Sequence, residues 1–239
     1  MNVLKNLFRS TLGKKFIMAL TGGALFLFVV GHLVGNLQIF LGPEAINRYG
    51  HFLQSNVEII WPARIGLLLC VVLHIWSAVK LTQENREARP IGYLNDPEPK
   101  AASYASQTMM MSGLIVAAFI VYHLLHFTVQ TKAVNLTGWD FHSLHESTRG
   151  GSMRHDVFRM MVIGFSHPLV CVFYVVAMVL LCLHLSHGVS AMFQSLGLKN
   201  KAWGPRLDCF ARAAAWAIFA GYASIPVAIL LGFGKEAVK

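Results

Sequence analysis

Long apolar runs are the feature that most constrains how this chain can fold. A helix needs roughly 20 mostly apolar residues to cross the hydrocarbon core of a bilayer. Hydrophobic residues make up 55% of the chain and charged residues only 13%, a balance that a water-soluble domain does not tolerate. We therefore expect an all-α integral membrane bundle of five transmembrane helices in a single domain over residues 1–239. The expected spans are approximately Phe16–Leu41, Trp61–Leu81, Gln107–Val129, Met160–Phe193 and Ala211–Phe233.

Polar connections separate these runs, and prolines mark two of the boundaries. Pro90, Pro97 and Pro99 fall in the connection over residues 82–106. Pro168 lies inside the fourth run, where it removes one backbone donor. We expect it to bend that helix or to mark the point where an interfacial turn becomes the span itself.

The distribution of the basic residues indicates a membrane topology and not a nucleic-acid-binding site. The formal charge is +9, but Lys and Arg flank the apolar runs and do not form one basic stripe with interleaved aromatics. With the N-terminus inside, 12 of the 20 Lys and Arg residues lie on the cytoplasmic side. The first run continues to Leu41 without an Ala-x-Ala site, so we interpret it as a retained helix and not as a signal peptide.

The four cysteines exclude some cofactor chemistry. They form no CxxC pair, so neither a disulfide framework nor a thiolate cluster is indicated. CxxCH is absent as well, which excludes a haem held by thioether bonds. Any haem in this chain must therefore be b-type.

Histidine is the ionisable residue that recurs inside the spans. An imidazole in hydrocarbon loses its water hydrogen bonds, and intramembrane ionisable groups usually face a bundle interior and carry function. Neutral imidazole is also the usual axial ligand of a b-type haem. The histidines of the spans are His32, His74, His123, His126, His167, His184 and His187.

Depth in the membrane predicts which of these histidines can pair. At the rise of an α-helix, His32 lies about 26 Å beyond Lys15 and His123 lies about 26 Å beyond Ser106, both measured from the inner face. The second and fourth spans run the other way, and there His74 and His184 lie about 9 Å and 15 Å from the inner ends. Four helices thus supply four histidines at two levels, a pattern that fits two stacked bis-histidine haems.

Several neighbouring residues have alternative interpretations. Gly22, Gly23, Gly31 and Gly35 would let a flat macrocycle or a neighbouring helix approach His32, although Gly31-x-x-x-Gly35 is equally a helix-packing motif. A single intramembrane histidine can simply hydrogen-bond a neighbouring helix. We favour that role, or contact with a haem edge, for His126, His167 and His187. We expect the remaining histidines, His51, His142, His145 and His155, to be solvated surface residues.

Motifs along nearly the whole chain resemble the single-polypeptide, di-haem cytochrome b subunit of succinate:quinone oxidoreductases, the succinate dehydrogenases and fumarate reductases. The resemblance rests on short segments that fall where this family places its haem ligands or the residues around them. These segments are Ser10-x-x-Gly13-Lys14-Lys15, Gly31-His32-Leu33-Val34-Gly35-Asn36, Ala45-Ile46-Asn47-Arg48-Tyr49-Gly50-His51-Phe52, Leu73-His74 with Ala78, Val121-Tyr122-His123-Leu124-Leu125-His126-Phe127, and Leu183-His184-Leu185-Ser186-His187-Gly188.

The resemblance implies two haem b groups and a respiratory role. His32 and His123 would ligate the haem nearer the outside, and His74 and His184 the haem nearer the cytoplasm. The chain would be the anchor in a bacterial inner membrane, with its N-terminus cytoplasmic, for an FAD-containing flavoprotein subunit and an iron-sulfur subunit. It would pass electrons to or from quinone, menaquinone or ubiquinone, and would not itself act on succinate or fumarate.

The resemblance has one departure and leaves the quinone site open. Some family members carry an acidic residue beside the ligand of the fourth helix, linked to proton movement, where this chain has Cys182. A transmembrane proton path of that type is therefore not expected here. Candidate quinone contacts near one interface are Asn36, His51, Trp61 and Arg64, and the opposite interface is an equal alternative.

Two other functions also fit the histidine pattern. The chain could be a di-haem cytochrome b of another quinone-linked enzyme, such as a hydrogenase, formate dehydrogenase or nitrate reductase. It could also be a haem-free transporter or anchor whose histidines relay protons or pack. Purified protein without a Soret band would favour the second of these.

Overall fold

The computed structural model describes residues 3–88, 108–148 and 150–238, and in these ranges the fold is almost entirely helical. Two short strands, β1 (His145–Ser147) and β2 (Met153–His155), pair antiparallel as a hairpin, with Glu146 opposite Arg154. The helices are α1 (Val3–Arg9), α2 (Thr11–Leu37), α3 (Pro43–Ser55), α4 (Val57–Glu87), α5 (Met109–His123), α6 (Val157–Gly164), α7 (Pro168–Ser195) and α8 (Gly204–Leu230).

Five of these helices are long and apolar enough to cross a membrane. They are α2, which a 3₁₀ turn extends to Leu41, then α4, α5, which a π-helical turn extends to Thr128, α7 and α8. The predicted all-α integral membrane bundle of five transmembrane helices is thus confirmed. We call the end of the bundle beside β1 and β2 the hairpin end, and the end where α2 begins the N-terminal end.

The helix boundaries follow from local caps and differ from the predicted spans by several residues. The Ser10 side chain accepts a hydrogen bond from the Gly13 amide, 3.0 Å, and so caps the start of α2. Helix α4 extends beyond the predicted 61–81 at both ends, through the mainly apolar residues 57–60 before the run and the polar residues 82–87 after it. The predicted start of the third span, Gln107, and the loop prolines Pro90, Pro97 and Pro99 lie outside the described residues.

The fourth apolar run is divided in two, as its proline predicts. Pro168 occupies the first turn of α7, where its missing amide costs no helical hydrogen bond. The preceding residues form the separate helix α6, whose start is capped by the Asp156 side chain accepting from the Arg159 amide, 2.9 Å. Helix α6 is almost fully buried and therefore belongs to the protein core.

Ion pairs of Arg154 and hydrogen bonds of Asn47, together called the Arg154 clamp, hold two connections against each other at the hairpin end. The Arg154 guanidinium, buried in the interface, pairs with Glu44 of α3 at 2.5 Å and with Glu146 at 2.6 Å. The hydrogen bond with Glu44 raises the pKa of Arg154. Asn47, also buried, donates to Asp156 and accepts from the Phe158 amide. The connection that precedes α4 is therefore held against the connection that precedes α6.

Four pairs of helices pack most extensively, and two further combinations are joined by facing histidines. The pairs with the closest backbone contact are α7 with α8, α2 with α4, α2 with α7, and α5 with α7. Buried apolar residues of α2, α7 and α8 form one core, among them Leu33, Cys182 and Ala215. Histidines connect the remaining combinations, α2 with α5 and α4 with α7.

Candidate functional site

His32 of α2 and His123 of α5 face each other nearer the hairpin end. Their ring centres are 5.8 Å apart and their planes are inclined at 84°. Both side chains are partly buried in the bundle. The structure thus brings together the two histidines that the depth argument matched toward the outside.

His74 of α4 and His184 of α7 face each other nearer the N-terminal end. Their ring centres are 6.4 Å apart and their planes are inclined at 65°. These are the two histidines that the depth argument matched in the inner half. The four predicted ligands therefore form two facing pairs, one at each level of the bundle.

The separation within each pair suits a metal held between two imidazoles. An imidazole nitrogen ligates a metal at about 2 Å and its ring centre lies roughly 1 Å behind it, so two axial imidazoles hold their centres about 6 Å apart. The observed 5.8 Å and 6.4 Å bracket this value. Within the described residues, no group of three or more His, Cys, Asp or Glu side chains could hold a metal ion. Each candidate site is therefore a pair of histidines and needs further ligands from a bound group.

Hydrogen bonds to Nδ1 orient three of the four rings. The Nδ1 atom of His74 lies 3.2 Å from the Met18 carbonyl, and that of His184 lies 3.4 Å from the Ser112 hydroxyl. The Nδ1 atom of His123 lies 3.3 Å from the Tyr174 hydroxyl. A metal-ligating histidine typically donates its other ring N–H to such a neighbour. No hydrogen bond to Nε2 of these rings occurs in the part of the chain described, which leaves that atom for a ligand.

His32 is held by aromatic packing instead. Its ring stacks on Phe28 with ring centres 5.3 Å apart, and Tyr222 of α8 lies at 6.2 Å. The Tyr222 hydroxyl donates to the Val29 carbonyl, 2.8 Å, and this bond joins α8 to α2 close to His32. The fifth span thus contributes to the site although it supplies no histidine pair member.

Glycines make room for the rings nearer the N-terminal end. A Cβ on Gly22 would lie 3.1 Å from Cε1 of His74, and a Cβ on Gly113 would lie 3.2 Å from Cε1 of His184. Of the two alternatives for the first-span glycines, approach of a neighbouring helix fits Gly22, but the helix is α4 and the histidine beside this glycine is His74 and not His32. Gly23 faces Met192 and Gly35 faces Tyr49, so these two serve helix packing. A Cβ on Gly31 would meet no atom within 4 Å.

The other span histidines have different surroundings. His126 is fully buried, and its Nδ1 lies 2.9 Å from the Tyr174 hydroxyl, which is the interhelical hydrogen bond favoured for it. His167 precedes α7, and its buried Nδ1 has no hydrogen-bond partner among the described residues. His187 is half-buried on α7, one turn beyond His184.

The surface histidines follow the prediction with one exception. His51, His142 and His145 are exposed. His155 is half-buried, and its Nε2 lies 3.2 Å from the Gln130 side chain. The expectation that His155 is solvated is therefore wrong, because β2 turns it toward the end of the third span.

Sequence reasoning missed the residues that orient the rings. Tyr174 has a signal that could have found it, since it precedes His184 by about 15 Å of helix and so matches the level of His32 and His123. Ser112 and Met18 have no such signal, because a small hydroxyl and a backbone carbonyl occur throughout the spans. Their role follows only from how α5 packs on α7 and how α2 packs on α4.

The fold and the site together define an integral membrane helical bundle with two stacked histidine pairs. No family model, no curated protein and no solved structure matches this chain.

Proposed function

We propose that this chain is a di-haem cytochrome b that anchors a succinate dehydrogenase or fumarate reductase to the membrane and passes electrons between its iron-sulfur subunit and quinone. The observation that carries the proposal is the pair of facing histidines at each of two levels, His32 with His123 and His74 with His184. The identity of the soluble enzyme rests on the sequence resemblance alone.

The donor sets favour haem over an ion held by protein groups only. Structural zinc sites take four protein ligands and catalytic ones take three, whereas each pair here offers two. A haem would bring four nitrogens of its own, and His32 with His123, or His74 with His184, would supply the two protein ligands from rings 5.8 Å and 6.4 Å apart. The hydrogen bonds at Nδ1 of His74, His123 and His184 support the same arrangement.

The chain itself would fix the rings and keep water away from them. A bound haem would supply reversible one-electron chemistry. Hydrogen bonds at Nδ1 would hold the imidazoles of His74, His123 and His184 in one tautomer, and apolar side chains such as Phe119 and Phe28 cover the rings of His123 and His32. Burial and hydrogen bonding around axial ligands are the means by which a protein tunes a haem potential.

The soluble subunits and quinone would bind at opposite ends of the electron path through the two histidine pairs. The iron-sulfur subunit would dock at the N-terminal end, nearest His74 and His184. The candidate quinone contacts lie toward the hairpin end, where the Arg64 guanidinium is 5.5 Å from the Trp61 ring centre and His51 is exposed. Asn36 bonds to the His32 carbonyl, 2.7 Å, which ties one of these candidates to the histidine pair.

Purification of the tagged chain from its own membranes in mild detergent tests the proposal. We expect a pyridine haemochrome assay to give two b-type haems per chain, and the preparation to contain flavin and iron and to reduce a quinone analogue with succinate. Two haems without flavin or succinate activity would assign the cytochrome to another quinone-linked enzyme. A preparation without a Soret band would overturn haem binding and favour the transporter function.

A further inference from the structure

The hydroxyl of Tyr174 lies between two histidines of the third span. It is 3.3 Å from Nδ1 of His123 and 2.9 Å from Nδ1 of His126. Tyr174 is 5% exposed and His126 is fully buried, so water does not compete for these bonds. Phe127 and Phe165 pack on both rings and enclose the group.

A local departure from regular helix accompanies this arrangement. Helix α5 ends at His123, and Leu124–Thr128 forms a π-helical turn in which the Val129 amide bonds to the Leu124 carbonyl, 2.7 Å. Single π turns are rare and occur frequently at functional sites. The turn carries His126 to the hydroxyl that His123 also contacts.

The number of protons on His123, Tyr174 and His126 then determines which group donates in each of the two hydrogen bonds. A histidine that ligates iron through Nε2 carries its proton on Nδ1, so His123 would donate to the Tyr174 oxygen. The single Tyr174 proton is then free to be donated to Nδ1 of His126, which must accept it. This places the His126 proton on Nε2, a buried atom with no hydrogen-bond partner among the described residues.

The buried Nε2 of His126 lacks a hydrogen-bond partner among the described residues, and a histidine at this position therefore requires an explanation. A buried polar group without a partner destabilises the folded protein, and an apolar residue at this site would avoid that cost. The cost is explained if Nδ1 of His126 must receive the Tyr174 proton, so that the Tyr174 oxygen stays oriented toward His123.

We infer that Tyr174 and His126 are positioning residues that hold the ligand His123 in one tautomer and lower the midpoint potential of the haem nearer the hairpin end. The inference rests on the proposed function. A ligand whose Nδ1–H is hydrogen-bonded is a stronger base toward the metal, which favours the oxidised iron. Among the described residues, no histidine lies behind the Nδ1 partners of His74 and His184, so the effect is specific to one haem.

Redox titration of the purified holoprotein tests this with Tyr174→Phe and a matched control, Tyr122→Phe. Tyr122 is a neighbouring aromatic residue of α5, but its hydroxyl donates to the Val134 carbonyl, 3.0 Å, outside the three groups. We expect Tyr174→Phe to keep two haems and to change the ratio of oxidised to reduced iron at one haem about tenfold at fixed potential, a rise of about 59 mV. Tyr122→Phe should leave both potentials unchanged.

A second variant keeps the inference testable if Tyr174→Phe does not fold. His126→Phe removes the acceptor of the Tyr174 proton and should shift the same haem in the same direction, with an altered low-spin EPR signal. In the double variant the two shifts should not add, because both act through one hydroxyl. Two haems with unchanged potentials in both single variants, or additive shifts, would overturn the inference and leave the di-haem function intact. Absence of haem from the unmodified protein would overturn the proposed function instead.

Discussion

The imidazole of His74 on α4 is oriented by the backbone of α2, because its Nδ1 lies 3.2 Å from the carbonyl oxygen of Met18. A carbonyl only accepts, so Nδ1 carries the proton and Nε2 is the bare nitrogen. The Thr21 hydroxyl, 3.3 Å from the same Nδ1, donates to the Ile17 carbonyl and can accept from His74 as well. The packing of the first two spans thus sets the tautomer of this histidine.

Replacement of His74 or His184 by Ala should remove one haem. On the proposed function, each variant would lose one of the two ligands of the haem nearer the N-terminal end, while His32 and His123 are unchanged. We expect one haem per chain by pyridine haemochrome and loss of electron transfer from succinate to quinone. His187→Ala is the matched control on α7 and should keep two haems. Full haem content in both His74 and His184 variants would contradict the assignment.

Gly22→Val should disturb the haem proposed beside His74 without replacing either of its proposed ligands. Its Cβ would lie 3.1 Å from Cε1 of His74, closer than ordinary van der Waals contact, so the ring or α2 must move. We expect a lower haem content or an altered reduced-minus-oxidised spectrum for one haem. Gly66→Val on α4 is the control, because a Cβ there meets no described atom within 4 Å outside its own stretch of helix. Equal effects of the two substitutions would show that the glycine at 22 has no special role beside His74.

Acidification should loosen the hairpin through His155. Burial lowers the pKa of His155, with a smaller contribution from nearby His145, so the folded protein favours the neutral ring. The stability from this group is therefore complete above the unfolded pKa of 6.5 and is lost progressively as the pH falls below it. Hydrogen exchange of residues 145–155 should be faster at about pH 5.5 than at about pH 7.5 after correction for intrinsic rates. His155→Gln should reduce this difference, and an unchanged pH dependence would contradict the role of His155.

In the ion pair of Lys14 with Glu84, removal of the more exposed Glu84 should destabilise the bundle more than removal of the buried Lys14. The Lys14 side chain is 6% exposed and that of Glu84 is 34% exposed. Glu84→Ala leaves the buried Lys14 ammonium without its carboxylate, and we expect a lower unfolding temperature. Lys14→Met should cost less, because Glu84 can be hydrated. Thermal unfolding in detergent measures both, with exposed Lys15→Met as the control, and the reverse order would contradict this account.

The sequence predicts the spans and the histidine levels because both depend on simple periodic quantities. Apolar length identifies a membrane helix, and helical rise converts residue number into depth. The matching of His32 with His123 therefore needed no knowledge of helix rotation. Pro168 was likewise informative, since a proline within an apolar run constrains where a helix can begin.

The remaining features depend on packing that residue number does not encode. Gly22 lies beside His74 and not beside His32, because α2 and α4 cross with that face between them. His155 was expected in solvent and is half-buried, because the Arg154 clamp and β2 hold it near Gln130. Which neighbour bonds to Nδ1 of each ring follows from the same interhelical packing.

The alternation of the histidine pairs along the chain has a consequence for biosynthesis. His32 and His123 belong to the first and third spans, whereas His74 and His184 belong to the second and fourth. Chains fold from the N-terminus as they are synthesised, so a nascent chain holds one complete pair once three spans have entered the bilayer. The pair of His74 with His184 is complete only after the fourth span is inserted. That span also brings Tyr174 to the pair of His32 with His123. The order of the helices along the chain thus sets the order in which the two histidine pairs can come together.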